Sequence, residues 1–229
     1  MTEPEPIDSS VTPLARLLGL AARIGTQIFT RVRFKGSLDA IPAEGPVILA
    51  ANHVSNVDGV VLGGWLIPRL PRRVHWLGKR EMFDVPIMGW VVRGYGVHPV
   101  ERSGADIEAF RIAEGILDAG QILLLFPEGT RSGDGTLQQP RDGLALLALR
   151  TGATIVPIGI ADTDKVWPKG KKPRPWPGGH VTVRVGEPFK LADILPPDLS
   201  RKAAKTQATD LIMRRIAALL PERQRGTYA

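Results

Sequence analysis

Apolar and polar positions fall into blocks along this chain, and the period of each block predicts an element. After a polar, acidic start (MTEPEPIDSS), Thr12-Pro13 reads as a helix N-cap followed by proline at the first helical position. From there to residue 30 the apolar residues recur with helical period. Leu14, Leu17, Leu18, Ala21, Ile24, Gly25 and Ile28 fall on one face, and Arg16, Arg23, Gln27 and Thr30 fall on the other. A short strand is predicted over 31–35, ending at Gly36, then a loop carrying Pro42 and Pro46. Apolar runs predict further strands at 47–51, 74–78, 121–126, 154–160 and 180–185, with helical patterns between them at 58–66, 105–119, 141–151 and 201–220. Strand–helix alternation predicts an α/β fold with a mostly parallel sheet flanked by helices. There is no internal repeat and no interdomain linker. The expected layout is a disordered tail and amphipathic helix over 1–30, then one domain over 31–223.

Residues 162–179 break the pattern. DTDKVWPKGKKPRPWPGG carries Lys165, Lys169, Lys171, Lys172 and Arg174 with Trp167 and Trp176, and no acid after Asp164. Its prolines and glycines forbid regular structure. The segment is either a solvated surface loop or a basic-aromatic contact for a bilayer or a phosphorylated cosubstrate.

Composition narrows the chemistry. With 43% apolar residues among 229, the chain can bury a core. It has no cysteine, which excludes disulfides, thiolate catalysis and Cys-based zinc sites. The four histidines are scattered without metal-ligand spacing, so no metal site is expected. A net charge of +7 implies an acidic partner: nucleic acid, an anionic bilayer or a phosphorylated substrate. The N-terminus lacks a signal-peptide pattern. A spanning helix needs roughly 20 apolar residues, and the uncharged runs 59–68 and 152–161 are about half that. The expectation is a protein that lies on a membrane without crossing it. The first helix, whose polar face has Arg and no acid, is either docked on the core or set in the membrane interface, and the basic pI favours the interface.

Four segments carry candidate chemistry, and most of their polar residues follow directly on apolar strands. In Asn52-His53-Val54-Ser55-Asn56-Val57-Asp58 a continuous helix would put His53 and Asp58 on different faces, so they meet only if the segment folds back as a loop. Ser55 and Asn56 suit such a turn or an N-cap. Asp58 could then fix the imidazole of His53, and His53 could take a proton from a hydroxyl. Phe126-Pro127-Glu128-Gly129-Thr130-Arg131-Ser132 puts a glutamate and an arginine in one glycine turn, where a planar guanidinium suits phosphate. Gly96-Val97-His98-Pro99-Val100-Glu101-Arg102 offers a second guanidinium, and Lys79 and Arg80 follow another strand. Ile155-Val156-Pro157-Ile158-Gly159-Ile160 is apolar, suited to a buried strand or a lipid-facing wall.

In order and spacing, NHVSNVD, GVHPVER, FPEGTRS and IVPIGI resemble the four blocks of the glycerophospholipid acyltransferase superfamily, above all the 1-acyl-sn-glycerol-3-phosphate (lysophosphatidate) acyltransferases. The resemblance covers roughly residues 31–190. It implies a mixed α/β sheet flanked by helices and an acyltransferase domain over 31–223. His53 would be the general base and Asp58 its orienting partner. Lys79, Arg102, Glu128, Gly129, Thr130 and Arg131 would bind or position the phosphate-bearing acceptor, and Pro157 would lie near the acyl chain or acyl donor. The cosubstrate would be acyl-CoA or acyl carrier protein, with no bound cofactor. The partners would be lysophosphatidate and anionic lipids, at the cytoplasmic face of the cell membrane, with no nucleic acid. Glycerol-3-phosphate or another lysolipid, including one of amino-acid type, is the alternative acceptor. A thioesterase or lipase would want a G-x-S-x-G elbow, which the chain lacks. A non-catalytic membrane- or nucleic-acid-binding module would explain the charge but not the His–Asp pair beside FPEGTRS.

Overall fold

The computed structural model of the chain describes residues 11–101, 105–176 and 179–229, the side chains of 105 and 106 excepted. Seven strands form one sheet in the order β1-β7-β6-β2-β5-β3-β4: β1 Arg31–Lys35, β2 Val47–Ala51, β3 Val74–Lys79, β4 Val97–Val100, β5 Ile122–Leu125, β6 Thr154–Ala161 and β7 His180–Val185. Neighbours among β6, β2, β5, β3 and β4 pair in parallel. β7 runs antiparallel to β6, with β1 parallel to β7 at the rim. The sheet is therefore mixed and mostly parallel.

Burial explains the two kinds of strand pattern. All five residues of β2 and all eight of β6 are buried, because helices cover both faces of the central strands. In β7 near the rim only every second residue is buried, giving the alternation of a half-covered strand. On one face, Ile48, Leu123 and Ile155 pack beneath α5 (Ala105–Asp118), α6 (Gly143–Thr151) and α7 (Arg201–Ala217). On the other, Leu49, Leu124 and Val156 pack beneath α2 (Asp58–Trp65). Two helices absent from the sequence-based expectation, α3 (Glu81–Asp84) and α4 (Pro86–Gly94), join β3 to β4.

The first helix, α1 (Pro13–Phe29), starts as predicted: Pro13 is its first residue, and Thr12 Oγ1 accepts from the Ala15 N–H at 3.1 Å. It docks on α2 through small residues rather than through its leucines. A Cβ on Gly19 would strike the Pro68 ring at 2.7 Å, and one on Gly64 would strike the Arg23 backbone nitrogen at 2.9 Å. The buried Trp65 indole donates to Thr26 Oγ1 at 3.0 Å, and the Arg23 guanidinium lies over the same indole. The apolar arc expected from the periodicity splits in two. Leu14 and Leu18 close over Gly94 of α4, whereas Leu17, Ile24 and Ile28 are 59–70% exposed, and Leu20 beside the arc is exposed too. On α4, Ile87, Met88 and Trp90 are also exposed. Each such side chain left in water forgoes about 1.5–3 kcal/mol of burial. Among the described residues no helix is long and apolar enough to cross a membrane.

Candidate active site

The parallel pairing of β6, β2, β5, β3 and β4 puts their C-terminal ends at one edge of the sheet, where open α/β folds build their sites. Residues 52–58 leave β2 there, 126–132 leave β5, Lys79 ends β3, Glu101 follows β4 and Asp162 follows β6. Arg102 lies outside the described residues.

The segment after β2 does fold back. Asp58 is the first residue of α2, and its carboxylate turns toward the loop it has just left. Oδ2 accepts from His53 Nδ1–H at 2.8 Å and from the backbone N–H groups of Val54 and Ser55, each at 2.8 Å. Oδ1 accepts from the Thr163 hydroxyl at 2.5 Å. Asp58 is fully buried, and a buried carboxylate is tolerated when its lone pairs are occupied in this way. Ser55 and Asn56 serve differently from the expected N-cap, because Val57 precedes the helix and makes no side-chain cap. Ser55 Oγ donates to the Trp167 carbonyl at 2.6 Å, and the Asn56 N–H donates to the same carbonyl at 3.1 Å. These bonds fasten the loop to the basic-aromatic segment after β6, which is anchored at its start by Thr163. Upstream, the Asn52 amide exchanges two hydrogen bonds with the backbone of Ile160, at 2.9 and 2.7 Å, continuing the β2–β6 pairing through a side chain.

The imidazole of His53 lies stacked on Phe126, with ring centroids 4.1 Å apart, and is 21% exposed. With Nδ1–H given to Asp58, Nε2 carries the free lone pair.

The loop after β5 is bonded to the same turn. The Ser132 N–H donates to the His53 carbonyl at 2.8 Å. Glu128 is buried and bridges two backbone groups: Oε1 accepts from the His53 N–H at 2.6 Å and Oε2 from the Gln138 N–H at 3.0 Å. Burial pushes its carboxyl up to about 7, with Asp58 and Asp134 adding to the rise and the two N–H bonds opposing it. Gly129 adopts φ +65°, and a Cβ there would meet Arg141 Cδ at 2.8 Å, so this turn requires glycine. Thr130 is exposed and Arg131 half-buried. Lys169 Nζ donates to the Arg131 carbonyl at 2.8 Å, which brings a cation of the basic segment to this loop.

Two expected residues stand further off. Lys79 is exposed at the end of β3, two strands from β2, and the adjacent Arg80 pairs with Glu101 at 2.8 Å. Pro157 is buried in β6, in register with Ala50, with its ring beside Gly186. It lies between the ladder to β7, which begins at Ile158, and the bridge from Ile155 to Phe189. Its carbonyl accepts from the Gly186 N–H at 2.9 Å, and lacking an N–H it returns no bond, so that rung is half-made and the β7 ladder begins one residue later.

Sequence reasoning gave Phe126 no role, although it opens the third segment, and did not single out Gln138 or Thr163. Each acts through a partner remote in sequence, and no local spacing marks it. Among the described residues no group of three or more His, Asp or Glu side chains is placed to hold a metal ion.

Comparison with known proteins agrees with this geometry. Residues 31–161 match the Acyltransferase family. The chain is similar to the chloroplastic 1-acyl-sn-glycerol-3-phosphate acyltransferase of Arabidopsis thaliana, 28% identical over 82% of this chain and 52% of that one. It is similar to a lyso-ornithine lipid O-acyltransferase of Pseudomonas aeruginosa, 32% identical over 67% of this chain and 57% of that one. It thus spans about half the length of these two curated relatives. Among solved structures it is similar to the 1-acyl-sn-glycerophosphate acyltransferase of Thermotoga maritima, with a TM-score of 0.70 and 26% identity over 90% of this chain and 79% of that one. A family match over more than half the sequence, a shared fold and a His–Asp pair at the sheet edge agree: the chain belongs to the acyltransferase family.

Proposed function

We propose that this protein transfers a fatty acyl group from an acyl thioester, acyl-CoA or acyl carrier protein, to the free hydroxyl of lysophosphatidate, giving phosphatidate, with His53 as general base. The observation that carries the reading is the 2.8 Å bond from His53 Nδ1 to a buried carboxylate, which leaves Nε2 as the basic atom. Nε2 takes the proton of the acceptor hydroxyl as its oxygen attacks the thioester carbonyl. The tetrahedral intermediate collapses with loss of the thiolate, and the imidazolium returns the proton to sulfur. Asp58 holds the tautomer and stabilises the imidazolium between these steps. A thioester is already activated, so alignment and a base suffice without a covalent acyl-enzyme.

In this reading Arg131, Lys79 and Arg102 provide cations for the acceptor phosphate, with Lys169 beside Arg131. Gly129 and Thr130 form the turn that presents Arg131. Glu128 supports binding indirectly, as the brace between the base loop and the phosphate loop. Both lipid chains must come from a bilayer. The exposed leucines and isoleucines of α1, together with Ile87 and Trp90 of α4, suit insertion at the interface of an anionic membrane, on its cytoplasmic face.

A second acceptor class has a specific observation behind it: the Pseudomonas relative is named for a lyso-ornithine lipid, a lysolipid without phosphate. One experiment separates the readings. Purified protein is incubated with labelled acyl-CoA and, in separate vessels, lysophosphatidate, glycerol-3-phosphate, lyso-ornithine lipid or no acceptor. Labelled phosphatidate in the first vessel above all others is expected. Faster transfer to either alternative would reassign the acceptor, and rapid acyl-CoA hydrolysis with no acceptor would replace transfer by thioesterase chemistry.

A further inference from the structure

The C-terminal turn is distant in sequence from every site residue discussed so far, yet one of its side chains joins both loops that hold His53. Gln224 is fully buried. Its Oε1 accepts from the Asp162 N–H at 3.1 Å, and its Nε2 donates to Asp164 Oδ1 at 3.0 Å. These two residues flank Thr163, whose hydroxyl holds Asp58. The same Nε2 donates to the Gly135 carbonyl at 3.1 Å, and the Gln224 carbonyl accepts from the Leu137 N–H at 2.8 Å. Leu137 directly precedes Gln138, whose N–H holds Glu128. Arg223 reinforces the first attachment by pairing with Asp162 and Asp164.

Asp162 shows why the attachment matters. It is the one described non-glycine residue with positive φ, +71°. An aspartate tolerates that conformation at a modest cost, and the surroundings must hold it there. The conformation turns the chain so that Thr163 leaves β6 facing Asp58. Gln224 holds its N–H, and Arg223 and Lys165 hold its carboxylate.

We propose that Gln224 is a positioning residue for the His–Asp pair, acting on Asp58 through Asp162–Thr163 and on the His53 backbone through Gly135 and the turn that leads to Gln138 and Glu128. Its amide is suited to this because one oxygen and one NH2 group satisfy an N–H, a carbonyl and a carboxylate at once. A side chain of similar length without polar atoms fills the space and releases all three. Thr163 is the last link and the most direct. Its hydroxyl is the donor to Asp58 Oδ1, which leaves Oδ2 to face His53.

The inference rests on His53 and Asp58 being the catalytic pair, and its test has a readout that does not depend on turnover. The Nδ1 proton of His53 is followed by proton NMR, assigned by its loss in His53→Ala. Acyl transfer is followed in Gln224→Met, Thr163→Val, the double variant and Thr163→Ser. The expected result is a moved or broadened His53 proton in Gln224→Met. With it comes a fall in kcat of roughly 10- to 100-fold, as for small misplacements of a reacting group, with the acceptor KM within about twofold. The double variant should lose less than the product of the two single losses, because both changes share the Asp162–Thr163 route. Thr163→Ser, which keeps the hydroxyl, should restore most of the rate. If Gln224→Met does not fold, Arg223→Ala, exposed and outside the core, should move the same proton in the same direction by less. An unmoved proton with unchanged kcat in a folded Gln224→Met, or losses that multiply in the double variant, would overturn the proposal. Absence of transfer by the unaltered protein would instead overturn the acyltransferase reading and leave the NMR result standing.

Discussion

The turn that holds His53 and the loops that carry the cations meet at the same edge of the sheet, and they are built in opposite ways. In the turn, Asn52, Ser55 and Asp58 are fully buried, Glu128 nearly so, and each is hydrogen-bonded to backbone or to Thr163. In the cationic loops, Thr130, Lys169, Lys171 and Lys172 are exposed, and among the described residues the Arg131 guanidinium enters no ion pair. The base is therefore fixed before substrate arrives, when misplacement would slow the chemistry. The cationic side chains lie toward the surface, which under the proposed function suits capture of a charged head group.

This contrast can be broken from the fixed side first. Asp58→Asn should fold, because its amide oxygen can still accept from His53, Val54 and Ser55 while the Thr163 hydroxyl turns to accept from the NH2 group. It should lose about 10²–10⁴-fold in kcat with the charge that stabilises the imidazolium. Asp58→Ala leaves the buried N–H groups of Val54 and Ser55 unpaired and should also lower the unfolding free energy, by about 1–3 kcal/mol for each orphaned donor. Equal melting temperatures for Asn, Ala and wild type would show that the carboxylate does not organise the turn.

Glu128 sharpens the same point through pH. Its folded pKa of about 7 lies above the ordinary 4.5, so between those values the folded state keeps a proton that the unfolded state releases. Stability attributable to this group is complete below the lower value and declines as pH rises through the upper one. The loss is on the order of 3 kcal/mol. Urea unfolding at about pH 5 and about pH 8 should show this decline in wild type, and Glu128→Gln should lack it. A wild-type contribution that instead grows over this range would mean that the two N–H donors outweigh burial.

On the open side the effects should be smaller and confined to binding. Arg131→Ala and Lys169→Ala should each raise the acceptor KM by about 10-fold and weaken its salt dependence, with kcat and melting temperature nearly unchanged. Smallest of all is the stability change in Leu17→Ser with Ile24→Ser, expected within about 0.5 kcal/mol because both side chains are exposed. The same pair should weaken sedimentation with anionic vesicles. Unaltered vesicle binding would remove α1 from the membrane contact.

The sheet was legible because its central strands are buried on both faces and stand out as apolar runs. Strands β2, β6 and β7 appear where the runs predicted them, within a residue at each end. β4 was not seen: it has four half-buried residues with a proline among them, at the edge of the sheet. α4 was missed because Ile87, Met88 and Trp90 point outward, so its apolar residues do not mark a buried face. The periodicity of α1 gave the helix but not its docked side, since glycines and alanines carry little hydrophobic signal and a neighbouring helix decided their use. Within the site, His53 and Asp58 could be paired by local geometry because only four residues separate them. Thr163 and Gln224 could not, because only the folded chain brings 163 to 58 and 224 to 162.

The most direct test is acyl transfer by His53→Ala, measured with labelled acyl-CoA and lysophosphatidate beside a thermal melt of the same sample. The account predicts a cooperative melt close to wild type, with Glu128 still accepting the residue 53 N–H, and turnover reduced by about 10²–10⁴-fold. A folded His53→Ala protein that forms phosphatidate at near wild-type rate would contradict it.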